Sequence, residues 1–178
     1  MLPACTAPGL PANAEEQALR ARSGTLTLKG SSFDPRAERR TMSILTAYLS
    51  FRDNAREAMT FYRSVLGGSL DLVEFSSFPQ MPHDPADAHL IMHSWLTTDD
   101  GMVLAGSDTP TGMDHQAPQG ISVSVSCEDV DRARSIWDGL SDGGTITMAL
   151  GAPPWGGLFG MLVDRFGISW MVTADQTQ

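Results

Sequence analysis

Apolar and polar residues alternate over residues 44–51, with Leu45, Ala47, Leu49 and Phe51 on one side and Thr46, Tyr48 and Ser50 on the other. A period of two is that of a strand with one buried face. The period then changes. Ala55, Ala58, Met59, Tyr62, Val65 and Leu66 recur at helical spacing behind Asn54 and Glu57, a capping-box variant, and Gly67-Gly68 closes the helix. Three strand-like runs follow, at 70–75, 90–97 and 102–107, the last two joined by the turn Asp99-Asp100-Gly101. In the middle run Leu90, Met92, Ser94 and Leu96 share one face, and His89, Ile91, His93 and Trp95 the other. Residues 76–88 are Pro-rich and read as a loop. The order is βαβββ.

The same order returns after a polar linker at 109–119. Residues 121–127 alternate Val and Ile against Ser. Asp129 caps a helix whose buried stripe is Val130, Ala133, Ile136, Trp137 and Leu140, and Gly143-Gly144 closes it. Strands are expected at 145–150, 158–163 and 168–172. Phe61-Tyr62 in the first helix corresponds to Ile136-Trp137 in the second, so the chain carries an internal repeat. Two copies are too few for a solenoid, and the pattern predicts one domain with a pseudo-twofold axis. Two helices among eight strands must cover one face, leaving the other face of a curved sheet to form a cup. The expected fold class is therefore α+β: two βαβββ modules, at 44–108 and 119–174, in a domain spanning 42–174 with a tail at 175–178. Residues 1–41, rich in Pro and Ala, read as a disordered extension, and a chain starting at Met42 is expected to fold as well without them.

Charge narrows the partners. The formal net charge is −9, but residues 1–41 carry six Arg or Lys against four Asp or Glu, while the remainder carries six against seventeen. An acidic body without a basic stripe argues against nucleic acid and against anionic membranes. No apolar run has the length of a membrane span, and the N-terminus lacks the apolar core of a secretory signal. Cys5 and Cys127 have no metal-type spacing, which points to a reduced, cytoplasmic protein.

The repeated order resembles the vicinal oxygen chelate superfamily of glyoxalase I, bleomycin-resistance proteins and extradiol dioxygenases, and within it the PhnB-like branch. The resemblance rests on Tyr48-Leu49-Ser50-Phe51, Asn54-Ala55-Arg56-Glu57-Ala58, Phe61-Tyr62, His93, Ser107-Asp108 with Pro110, Trp155-Gly156, Gly160, Asp164-Arg165-Phe166-Gly167 and Trp170. It covers roughly residues 44–174. It implies a homodimer and a small-molecule ligand. Branch members usually show an acid and a base after the Trp-Gly pair, where this chain has Gly157 and Leu158.

The superfamily's enzymes hold a metal with ligands on the first and last strand of each unit. The corresponding strands here offer Thr46, Tyr48 and Ser50, then residues 103–106, 120–126 and 169–173, with no His or carboxylate among them. No such metal site is expected. A substitute set of His89, His93 and Asp108 is the alternative, with a divalent metal as cofactor. His93 is the candidate for chemistry, as a base or an oxyanion binder. Tyr48 and Ser50 are expected to hydrogen-bond a ligand, and Trp95, Trp155, Phe159 and Met171 to line apolar walls, with Phe78 and Met81 as a lid. His83 and His115 are expected to be solvated. Tyr62 and Trp137 belong to the core, and Asp164 to a structural turn. The expected function is binding in an apolar cup, as in bleomycin-resistance proteins. The alternative is a metal-dependent glyoxalase-type lyase, isomerase or dioxygenase around His93. A ubiquinone-pathway methyltransferase, a label attached to this branch, is disfavoured because no glycine-rich nucleotide loop joins a strand to a helix.

Overall fold

Both predicted βαβββ units are present in the computed structural model, which describes residues 44–175. The expectations for the extension at 1–41, a start at Met42, Cys5 and most of the tail lie outside the described residues. The first unit comprises β1 (Ala47–Phe51), α1 (Ala55–Leu66), β2 (Ser69–Glu74), β3 (Ile91–Thr97) and β4 (Val103–Asp108). The second comprises β5 (Val123–Cys127), α2 (Val130–Ser141), β6 (Thr145–Gly151), β7 (Leu158–Val163) and β8 (Ser169–Ala174). Each unit forms its own four-stranded sheet, in the orders β1-β4-β3-β2 and β5-β8-β7-β6. The outer pairs β1–β4 and β5–β8 are parallel, and the rest are antiparallel.

One core serves both sheets. α1 lies on β2, β3 and β4, α2 lies on β5 to β8, and the helices pack against each other. Leu49, Met59, Tyr62, Leu96, Ile136, Trp137, Leu140, Leu162, Trp170 and Val172 are buried within it. Each such large side chain contributes about 1.5–3 kcal/mol through its removal from water. Trp137 and Tyr62 are thus core residues, as the helical stripes indicate. Polar contacts cross between the units as well. The Tyr62 hydroxyl donates to Asp164 Oδ2 at 2.7 Å, and Arg132 donates to the Leu66 carbonyl at the end of α1.

Three local details differ from the sequence expectation. β1 starts at Ala47, three residues late, because β4 supplies partners no earlier than Val103; Leu45 is fully exposed. Asn54 makes no side-chain cap. Asp108 takes its place from the far end of β4, accepting the Ala55 N–H at 2.9 Å and the Ile91 N–H at 2.8 Å. In the second unit the cap is local, as expected: Asp129 accepts the N–H groups of Asp131 and Arg132. Third, β3 is irregular. The pairing runs Val73–His93 and then Glu74–Ile91, so Met92 is an extra residue and the alternation breaks there. Ile91 consequently joins the core rather than sharing a face with His93.

Candidate functional site

The bulge in β3 determines which side chains the first sheet turns away from the helices. Ser94 and Leu96 point into the core, and His93 and Trp95 take the opposite face. On β1, Leu49 and Phe51 are buried, and Tyr48 and Ser50 occupy the outer face. Register lines these up: Tyr48 is opposite Ala105, Ala105 opposite Trp95, and Trp95 opposite Asp71. Tyr48 Oη and His93 Nδ1 are 3.1 Å apart. Their rings stack at 5.8 Å and 21°, and the His93 ring lies 6.1 Å from that of Trp95 at 41°. Tyr48 is 52% exposed, and His93 and Trp95 are half-buried. Three of the expected ligand-binding residues therefore meet, and Ser50 lies one step along the same face, opposite Ser107.

The remaining expected residues belong to the second unit, Phe159 and Met171 on its sheet and Trp155 in the β6–β7 turn. Trp155 is exposed and packs edge-on to Phe159 at 5.8 Å. Met171 lies between Ser124 and Met161 in the register. Among the described residues no ring pair or hydrogen bond joins this group to the Tyr48 group. The repeat shows why they differ. Tyr48, Ala105 and Trp95 in one sheet occupy the places of Ser124, Met171 and Met161 in the other. Asp71 and Met161 escape the sequence reading because their face is set by register. In Asp71 the signal was its position between Leu70 and Leu72.

The superfamily's metal does not fit this face. Side chains turned outward by β1, β4, β5 and β8 are Tyr48, Ser50, Val103, Ala105, Ser107, Ser124, Ser126, Ser169, Met171 and Thr173, none of them an imidazole or carboxylate. Of the substitute set, His89 and Asp108 border one groove, but His93 stands apart from it. His89 is exposed, beyond the end of β3, in a groove of about 410 Å³ beside Asp53, Arg56 and Glu57 at the start of α1. Asp108 is buried with both oxygens committed to backbone N–H groups. Among the described residues no group of three or more His, Cys, Asp or Glu is placed to hold a metal ion.

Other chemistry-bearing residues have structural partners. Asp164 is buried and accepts from Tyr62, from Trp170 Nε1 at 2.8 Å, and from the N–H groups of Phe166 and Ile168. Burial, and then the Asp164 charge and hydrogen bond, raise the Tyr62 pKa well above the usual phenol range. Burial likewise raises the Cys127 thiol, which keeps its proton near neutrality. His83 and His115 are half-buried and partnered rather than solvated: His83 Nδ1 is 2.8 Å from the Met81 carbonyl, and His115 Nδ1 is 3.3 Å from Thr109 Oγ1. Phe78 and Met81 are exposed in the loop between β2 and β3. That loop is fastened by Asp87, which accepts from the Thr111 N–H and hydroxyl. The missing acid and base after Trp155-Gly156 also have a cause. Gly157 has φ 76°, a Cβ there would meet the Ala174 carbonyl at 2.5 Å, and Leu158 is buried.

A family model described as 3-demethylubiquinone-9 3-methyltransferase matches residues 43–173. Protein YjdN of Escherichia coli (strain K12) is 28% identical over 146 residues, covering 75% of this chain and 97% of YjdN. The crystal structure of protein PA1353 from Pseudomonas aeruginosa has 33% identity and a TM-score of 0.70, over 76% of this chain and 100% of that one. A structure described as a putative 3-demethylubiquinone-9 3-methyltransferase, PhnB protein, from Bacillus cereus has 26% identity and a TM-score of 0.58, over 74% and 99%. More distant structures in the glyoxalase/bleomycin resistance/dioxygenase superfamily share the fold. With its two βαβββ units, their parallel outer strand pairs and a family match over nearly all the described residues, the chain belongs to the PhnB-like family of that superfamily.

Proposed function

We propose that this protein binds a small, apolar or partly aromatic molecule on the outer face of its first sheet, without a metal. The observation that supports this most is the contiguous set of Tyr48, His93 and Trp95, three rings in contact on a solvent-facing sheet surface. Flat aromatic surface with a few polar groups is the usual lining of small-ligand sites. Ser50 and the His93 imidazole supply hydrogen bonds. A second copy of the chain covers the face, because a single copy leaves Tyr48 on the first sheet and Trp155 in the β6–β7 turn open to water. Binding is favoured over methyl transfer by the strand-to-helix turns. Arg52-Asp53-Asn54 and Glu128-Asp129 contain no glycine, so neither forms the loop that admits a nucleotide-like donor.

The test uses protein purified without an affinity tag. Elemental analysis is expected to find no stoichiometric divalent metal, and neutral aromatic compounds such as 2-naphthol are expected to raise the melting temperature. A one-to-one divalent metal that disappears in His93→Ala would overturn the proposal in favour of metal-dependent chemistry.

A further inference from the structure

We infer that the preferred occupant of the Tyr48–His93–Trp95 face is an organic cation, a small amine or quaternary ammonium group. This rests on the reading of that face as the binding surface and adds the charge of the ligand. Across the first sheet the outer row runs Tyr48, Ala105, Trp95, Asp71. Tyr48 and Trp95 stand two strands apart, so their backbones are separated by roughly 9–10 Å. Between them the Ala105 methyl is fully covered, so the three side chains form a continuous surface bordered by Asp71. The His93 ring lies against both Tyr48 and Trp95. An aromatic surface attracts a cation through its negative π face, most strongly at the indole, here that of Trp95 beside Asp71.

Asp71 supplies the second half of the argument. It is exposed and lies directly opposite Trp95, on the same face, with Cβ atoms about 4.5–5.5 Å apart. It pairs with no cation among the described residues. A carboxylate beside an aromatic platform repels anions, offers a neutral ligand no more than a hydrogen bond that an amide could replace, and provides the counter-charge for a cation. Residues 42–178 hold seventeen Asp or Glu against six Arg, so the long-range field has the same sign.

The experiment titrates the full chain with choline and with 3,3-dimethylbutan-1-ol, its uncharged carbon isostere, following tryptophan fluorescence and heat. Choline is expected to bind about tenfold tighter than the alcohol, the size of a partly desolvated cation–π contact. Asp71→Asn, at an exposed position, is expected to weaken choline about fivefold and leave the alcohol unchanged. Trp95→Leu is expected to weaken both. Equal binding of the two probes, or no response of choline to Asp71→Asn, overturns the cation assignment. Binding of 2-naphthol alone, lost in Trp95→Leu, overturns it while leaving the binding reading intact. No binding of any of the three probes overturns both.

Discussion

Asp164 concentrates more of the fold in one side chain than its place in a turn implies. It receives four hydrogen bonds, including those of Tyr62 and Trp170, and so ties α1 of the first unit to the β7–β8 connection of the second. Asp164→Ala is expected to lower stability by roughly 3–5 kcal/mol, since it leaves buried donors without a partner. Tyr62→Phe removes one donor and is expected to cost about 1–2 kcal/mol, both measured by urea denaturation. The raised Tyr62 pKa gives a sign for pH. Its contribution is complete below the ordinary phenol value near 10 and is lost as pH rises beyond it, because the unfolded chain can ionise and the folded one resists. Tyr62→Phe should therefore lose less stability than the parent between about pH 9 and 11. That Asp164 serves a turn was legible from the glycine three residues on. The role of Asp108 was not. Its backbone donors come from 17 and 53 positions away, and residue type alone made it look like a metal ligand.

Between elements, the closest approach is that of the two helices. A Cβ on Gly139 of α2 would lie 2.8 Å from both Val65 methyl carbons of α1. Alanine there gains about 1 kcal/mol of helix propensity and loses more to the clash. Gly139→Ala is expected to destabilise by about 1–2 kcal/mol. In a Val65→Ala background the same change should be neutral or stabilising. A double-mutant cycle with additive effects would show that the helices do not meet at these residues. Both helices and all eight strands were legible in the sequence, most of them because one face is buried against a shared core, whereas β6 is exposed from Thr145 to Ala149. The break in β3 was not. Residues 90–96 alternate without a visible signal, and one extra residue at Met92 reassigns Ile91 from the His93 face to the core. That shift also separates His89 from His93, so a pairing of the two that seemed natural on paper is absent.

For the whole molecule, the sheet faces turned away from the core carry unequal chemistry. The first has the rings and Asp71; the second has Met161, Met171 and exposed Trp155 and Met148. Laying the second face of one copy over the first face of another would bury both, which is the arrangement proposed above. Light scattering of the full chain is expected to give about twice the 19.1 kDa of one copy, and Trp155→Asp is expected to weaken the association. A concentration-independent monomer would count against it. The duplication made the architecture readable, and it made the site only half readable. The two units share pairing geometry, yet the corresponding outer positions hold Tyr, Ala and Trp in one and Ser, Met and Met in the other.

The parallel pairing of β1 with β4 also has a consequence for synthesis. β1 leaves the ribosome first but has no sheet to join until Val103–Asp108 emerge, more than fifty residues later. At typical elongation rates that interval lasts on the order of several seconds. β5 faces the same wait for Ser169–Ala174. The newborn chain therefore closes each unit from its outer strand last, and Leu49 and Phe51 stay uncovered for longer than any hairpin in the molecule.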